Sequence, residues 1–195
     1  MKALATSLLV LALGFLAIDA FQASPPAQVE RAFATAGVVR LDLAAGEYSL
    51  RGSDLEAIRV SWRTRRPEDA SRARADVHVQ GTSATVRTFG PKDGFRVDID
   101  VPRRVDLDVH LSAGELEIRG IDGNKNLSMW AGEASIEVGD GSLYRQVDAS
   151  VRAGEIQARP FDIAKGGLFR SFSRQGRGPY TLRARIFAGE LTLMR

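Results

Sequence analysis

The chain has no cysteine among its 195 residues. That excludes disulfides, thiolate metal ligands and a lipid-bearing N-terminal cysteine. A domain of this size folds without disulfides even in an oxidising compartment, so the absence is compatible with export. Histidine is almost as scarce, with only His78 and His110. Each falls on the polar side of a predicted strand, and neither has a serine or cysteine fixed beside it in sequence as a nucleophile. A phosphate loop, a dinucleotide fingerprint and a zinc-binding HExxH are all missing. The expectation is a protein that is not an enzyme and uses no cofactor. The net charge of +3 is too small to argue for nucleic acid, and no nucleic-acid partner is expected. After Ile18 no apolar run is long enough to cross a bilayer as a helix.

What is present begins with Met1-Lys2, an apolar run from Ala3 to Ile18, and the small residues of Asp19-Ala20-Phe21-Gln22-Ala23. A short basic start, an apolar stretch and small residues near a cut are the marks of a signal peptide over 1–23, cleaved after Ala20 or Ala23. Retention as an N-terminal anchor is the alternative. Ser24-Pro25-Pro26 opens a linker over 24–36. Residues 37–195 are then one domain, large enough to bury its own core.

The domain is organised around a repeat. Ala-Gly-Glu occurs at Ala45, Ala113, Ala131, Ala153 and Ala188, with the last four separated by 18, 22 and 35 residues. Each copy lies between two alternating apolar segments, and the apolar phase slips by one residue across it. Leu182, Ala184, Ile186 and Ala188 share one parity; Leu191 and Leu193 take the other. Strand side chains alternate with a period of two, so the apolar set stays inside only if the backbone makes a bulge or corner at Gly-Glu. Gly46, Gly114, Gly132, Gly154 and Gly189 are the structural corners, because glycine tolerates a positive φ. Corners recurring in register predict an all-β fold, a β-solenoid or β-helix-like stack. One short helix is expected near 67–75, where Pro67 is followed by Glu68 and Asp69.

The run Val97-Asp98-Ile99-Asp100-Val101-Pro102, then Val105-Asp106-Leu107-Asp108-Val109, then Ala113-Gly114-Glu115, resembles a bacterial family of unknown function labelled putative adhesins. The resemblance covers about Val38 to Arg195. It implies an exported repeat protein with a β-helix-like domain and a recurring small-Gly-acid turn. It supplies no catalytic residues.

Three constellations are candidates for chemistry. Asp98, Asp100, Asp106, Asp108 and His110 point away from the core, and if their strands are neighbours they form an oxygen-rich patch for Ca²⁺, or with the imidazole for Zn²⁺ or Mn²⁺. The alternative is a solvated strand face. Stacking would also bring Glu115, Glu133 and Glu155 into a column about 4.8 Å apart, with Arg119 and Arg159 placed to alternate with it, or with turn N–H groups to bind it. Third, the insertion from Phe161 to Tyr180 interleaves cations with aromatics: Lys165, Phe169, Arg170, Phe172, Arg174, Arg177 and Tyr180. In an exported protein this composition suits an anionic glycan, a lipid headgroup or an envelope polymer; otherwise Phe169 and Phe172 plug one face of the stack. The combined expectation is an exported, non-enzymatic binding or adhesion module in the periplasm, at the cell surface or secreted. Its partners are an anionic glycan or envelope polymer, with peripheral membrane contact. A self-associating scaffold joined through its solenoid edges and a carbohydrate-active β-helix enzyme are the alternatives.

Overall fold

The computed structural model describes residues 27–34 and 36–195, so the leader expected over 1–23 lies outside the described residues. Twelve strands form one sheet: β1 (Ala27–Ala32), β2 (Val38–Leu43), β3 (Gly46–Ser53), β4 (Ala57–Thr64), β5 (Arg74–Gln80), β6 (Ser83–Phe89), β7 (Phe95–Pro102), β8 (Asp106–Arg119), β9 (Lys125–Glu137), β10 (Tyr144–Ala158), β11 (Ile163–Gln175) and β12 (Tyr180–Met194). β8, β9, β10 and β12 each contain an Ala-Gly-Glu corner, while the first copy joins β2 to β3. Before the corner the order runs β5-β6-β2-β8-β9-β12-β10-β11, and after it β1-β4-β7-β3-β8-β9-β12-β10-β11. The corner thus bends one sheet into two arms, and the core lies between them.

The phase slip read from the sequence is the one the sheet uses. Leu182, Ala184 and Ile186 are buried before the corner, and Leu191 and Leu193 after it. All five glycines sit in register: Gly46 beside Gly114, then Gly132, Gly189 and Gly154. Gly132 has φ +121° and Gly189 +139°. A Cβ on Gly189 would lie 1.8 Å from the Gly132 carbonyl oxygen, and one on Gly132 would lie 1.9 Å from that of Gly114. The corners at Gly114, Gly132, Gly154 and Gly189 therefore need glycine twice over, for the backbone angle and for the close approach of a neighbour, whereas Gly46 needs it only for close approach, a Cβ there lying 2.8 Å from the Phe95 carbonyl oxygen.

The expected all-β class holds, but a solenoid is not what forms. The sheet mixes parallel and antiparallel pairs, with β1–β4, β4–β7, β5–β6 and β10–β11 antiparallel. The corner-bearing strands also do not stack in chain order, because β12 inserts between β9 and β10. The alternation pattern specifies which face of a strand is buried and is silent on which strand lies beside it. Three further expectations change. Ala27–Ala32, inside the expected linker, is a strand paired to β4. The helix expected near 67–75 is a 3₁₀ turn over Pro67–Arg72, and two shorter 3₁₀ turns occur at Gly141–Leu143 and Arg159–Phe161. The insertion from Phe161 to Tyr180 is mostly strand β11, which folds back on β10.

Two clusters of buried polar groups, Lys125 with Tyr144 and Tyr48 with Thr88, are held by hydrogen bonds. Lys125 occupies an inward position on β9, and its Nζ donates to the carbonyls of Ile121 (2.8 Å) and Gly123 (3.2 Å) and to the Tyr144 hydroxyl (2.8 Å). Burial pulls the Lys125 ammonium down to about 8, against the opposing pull of Asp122, Glu137 and Asp106. Tyr48, inward on β3, donates to the Ala44 carbonyl at 2.9 Å and shares a 2.8 Å hydrogen bond with the Thr88 hydroxyl of β6. Burial raises the Tyr48 phenol to about 12, despite the Thr88 bond, which lowers it. This contact ties the two arms together beside the first corner.

Candidate functional site

The residue just before each Ala-Gly-Glu is Ala44, Ser112, Trp130, Arg152 or Phe187. These positions are level with one another, because the pairs on either side of them are in register. They face outward, opposite in parity to the buried residues that flank them. Across the sheet the row reads Phe89 (β6), Ala44 (between β2 and β3), Ser112 (β8), Trp130 (β9), Phe187 (β12), Arg152 (β10) and Phe169 (β11).

Half of this row is a continuous stack. The Trp130 and Phe187 rings lie 4.2 Å apart and within 3° of parallel. The Arg152 guanidinium sits 5.5 Å from the Phe187 ring centre and 6.0 Å from that of Phe169. Indole stacking and cation–π contact hold these groups in place although Trp130 is 63% and Phe169 72% exposed. Phe169 also takes φ +54°, which a bulky residue adopts only under constraint from its surroundings. At the far end, Arg74 covers the Phe89 ring at 3.9 Å. Two residues earlier on each parallel strand, and two later on antiparallel β11, lies a second outward row, Asp42, His110, Ser128, Arg185, Ser150 and Ser171. The two rows line an open groove of about 960 Å³ that crosses the strands.

Charge is distributed unevenly along this groove. On its β2–β8 side the ions are paired, Arg40 to Asp108 at 3.1 Å and Arg87 to Asp42 at 3.4 Å, and the His110 ring lies 3.3 Å from Asp108. Burial pushes the Asp108 carboxyl up, but hydrogen bonds from Asn126 and Arg40 and the nearby His110 outweigh it and hold the group below its ordinary value. On the β12–β10–β11 side, Arg152, Arg170, Arg183 and Arg185 take part in none of the ion pairs among the described residues.

The acidic patch does not assemble. Asp98 and Asp100 lie on β7 beyond the corner, whereas Asp106, Asp108 and His110 lie on β8 before it, and β3 separates β7 from β8. Each carboxylate is occupied as well. Arg51 reaches Asp100 at 3.1 Å and Asp98 at 3.9 Å, and the backbone N–H and side-chain amide of Asn124 bond Asp106. Among the described residues no three His, Asp or Glu side chains are arranged to hold a metal ion. The metal expectation fails because it assumed that strands consecutive in the chain are neighbours in the sheet.

The glutamate column does form, with five members: Glu47, Glu115, Glu133, Glu190 and Glu155 in that order. Its expected arginine partners do not alternate with it. Arg119 pairs with Glu117, and Arg159 lies in a 3₁₀ turn. Glu47 pairs with Arg96, while Glu155 accepts from Gln157 at 3.1 Å and Glu190 from Thr192 at 3.2 Å. Glu47, Glu155 and Glu190 thus bond residues on their own strand or a neighbour rather than turn N–H groups.

The basic-aromatic segment is split by its pairing with β10. Phe169 and Arg170 reach the groove. Phe172 is buried against Phe161, 5.9 Å between ring centres, with Arg174 over the Phe161 ring at 5.2 Å. Lys165 donates to the Ser171 carbonyl at 2.9 Å, and Tyr180 packs edge-on against Tyr144. Arg177 is exposed in the turn before β12. Trp130, Arg152, Arg185, Phe187 and Phe89 are the groove residues that composition of one segment did not reveal. Aligning the five motif copies on one another would have found three of them.

No protein-family model matches the chain, and no curated protein sequence matches it. Solved structures do. A putative cell adhesion protein from Clostridium sporogenes has a TM-score of 0.51 at 12% identity, covering 86% of this chain and 98% of its own. A putative adhesin from Parabacteroides merdae has a TM-score of 0.32 at 10% identity, covering 89% and 98%. A putative lipid binding protein from Parabacteroides distasonis has a TM-score of 0.24 at 8% identity, covering 89% and 98%. Of these three, only the first is similar enough to speak to the fold, and at that identity it speaks to the fold alone.

Proposed function

We propose that this chain is an exported, non-enzymatic binding module that holds an anionic glycan or envelope polymer across the groove before the corners. The observation that carries the reading is the group of arginines Arg152, Arg170 and Arg185, which make no ion pair among the described residues and lie beside the stacked Trp130 and Phe187. Planar guanidinium groups bind carboxylates and phosphates in two-point fashion, and exposed aromatic surface at this density marks contact sites rather than ordinary surface. The name of the similarly folded Clostridium sporogenes protein, a putative cell adhesion protein, agrees with a binding role. Export rests on the leader-like sequence of 1–23; no helix among the described residues is long and apolar enough to cross a membrane.

Self-association through sheet edges has less support. β11 is the edge strand after β10, and it carries Lys165 and Arg174 on the face that continues the core, together with Gly166-Gly167. Inward cations and local irregularity are how exposed edges avoid pairing with other chains.

The test is binding of the folded chain to isolated envelope polymer and a glycan panel across a salt series. Changing Arg152 and Arg185 to Ser is expected to abolish salt-sensitive binding. Changing Arg174 and Arg177 to Ser, away from the groove, is expected to leave it. The reverse result, or no binding by the unaltered chain, overturns the proposal.

A further inference from the structure

The outward row is large or charged at every strand except two neighbours, Ala44 and Ser112. From Phe89 to Trp130 is three strand spacings, about 14 Å, so the two small residues leave a gap between two aromatic side chains. Trp130 has its β12-side face covered by Phe187 at 4.2 Å, which leaves its other face toward β8 and the gap. The floor is held rigidly. The Ala44 carbonyl accepts from Tyr48, its N–H donates to the Thr88 hydroxyl at 3.1 Å, and Ser112 Oγ lies across to the Leu43 carbonyl at 3.4 Å. The nearby ions of this side, Arg87 with Asp42 and Arg40 with Asp108, neutralise each other.

We infer that this gap is a subsite for an uncharged sugar ring stacked on Trp130, and that the next subsite, at Arg152 and Arg185, takes an acidic one. The inference rests on the proposed function and narrows its ligand to a polysaccharide in which acidic and neutral rings alternate. An indole face is electron-rich, and the C–H face of a pyranose is apolar and faintly positive, so the two stack while the hydroxyls at the ring's edge stay free. His110, Asp42 and Ser128, in the row beside the gap, offer donors and acceptors to those hydroxyls. From Ser112 to the strand that carries Arg185 is two strand spacings, about 10 Å, which two linked pyranose rings span.

The decisive experiment is calorimetry of the folded chain with four probes: a glucuronate–N-acetylglucosamine alternating polymer, polygalacturonate, dextran, and phosphatidylglycerol vesicles. Ser112→Phe, which fills the gap, and Trp130→Ala, which removes its wall, are each expected to weaken the alternating polymer about tenfold and to leave polygalacturonate within about twofold. The double change of Arg152 and Arg185 to Ser is expected to lose both. Thermal melts confirm that the variants fold. If Ser112→Phe and Trp130→Ala leave the alternating polymer unaffected while the arginine change abolishes it, the subsite is refuted and the charged groove stands. If the unaltered chain binds no acidic polymer, both fall. Tight binding to the vesicles alone makes the groove a lipid-headgroup site and refutes the polysaccharide.

Discussion

The two outer faces of β8, β9, β12 and β10 are built on the same strands, in the same register, on either side of the same glycine row, yet their chemistry is opposite. After the corner the leading position is glutamate in all five copies. Before it the position is Ala, Ser, Trp, Arg or Phe. The glycine that every copy repeats beside that glutamate answers a need that every copy shares, which is making the corner. A position that changes from copy to copy is released from that need and free to build a surface. The repeated acids cost something, since like charges opposite each other across strands repel. The varied row instead gathers rings and arginines that stack. Within one chain the internal repeat therefore separates the scaffold from the site.

The strongest way to break the comparison is to remove what both faces share. Gly189→Ala would place a Cβ 1.8 Å from the Gly132 carbonyl oxygen at a φ of +139°. The expected loss is about 3 kcal/mol or more, read by chemical denaturation, with both faces disrupted together. A loss under about 1 kcal/mol would mean that the corner relaxes and is not the organising element.

A second contrast sets the buried charge of Lys125 against the exposed charges of both faces. Its folded pKa is lowered to about 8 from an unfolded 10.5, so between these values the unfolded chain binds more protons than the folded one. Stability is therefore expected to rise with pH over that window, by on the order of 2 kcal/mol by pH 10. Above about pH 10 the sign reverses. Burial raises both Tyr48 and Tyr144, so the unfolded phenols ionise first and stability is lost as pH climbs toward 12. Urea midpoints from pH 7 to 11 in high salt test this, because salt screens the surface charges and leaves the buried one. Lys125→Met is expected to flatten the rise.

The third prediction separates the faces by function. Arg152→Ser with Arg185→Ser is expected to change stability by no more than about 1 kcal/mol, since neither makes an ion pair among the described residues and Arg152 contributes only exposed cation–π contacts, while binding of an acidic polymer falls tenfold or more. A large stability loss without a binding change would assign these arginines to the fold. The smallest effect is on the other face. Glu133→Gln with Glu190→Gln, neighbours in the acid row, is expected to stabilise by a few tenths to about 1 kcal/mol at low salt, and by less at high salt. Destabilisation instead would show that these carboxylates hold the corner through contacts that outweigh their repulsion.

Much of the fold was legible because alternation and phase slip are local. Leu127 and Met129 before a corner, and Ala134 and Ile136 after it, declare their burial without reference to any other strand. The site was less legible. Asp98 to His110 looked like one patch because Asp recurs along two consecutive segments, but the corner and β3 put the two on different arms. Phe169, Arg170 and Phe172 stood out as one cluster in sequence, and only pairing with β10 sent Phe172 into the core and Phe169 to the groove. Trp130 and Phe187 are 57 residues apart and were singled out by no local pattern.

By itself the sequence determined the all-β class, the inward face of each alternating segment, and that five glycine corners share one register; it did not mark β1 or β11 as strands. What it determined follows from the two-residue period of a strand and from glycine's lack of a side chain, both of which act within a few residues. Tertiary structure alone decided that β12 enters between β9 and β10. Every corner-bearing strand offers nearly the same apolar edge, so the order is settled by packing of the whole sheet and by the β10–β11 hairpin. That choice, made far from either residue's own neighbours in the chain, lays Trp130 against Phe187 and Phe187 against Arg152.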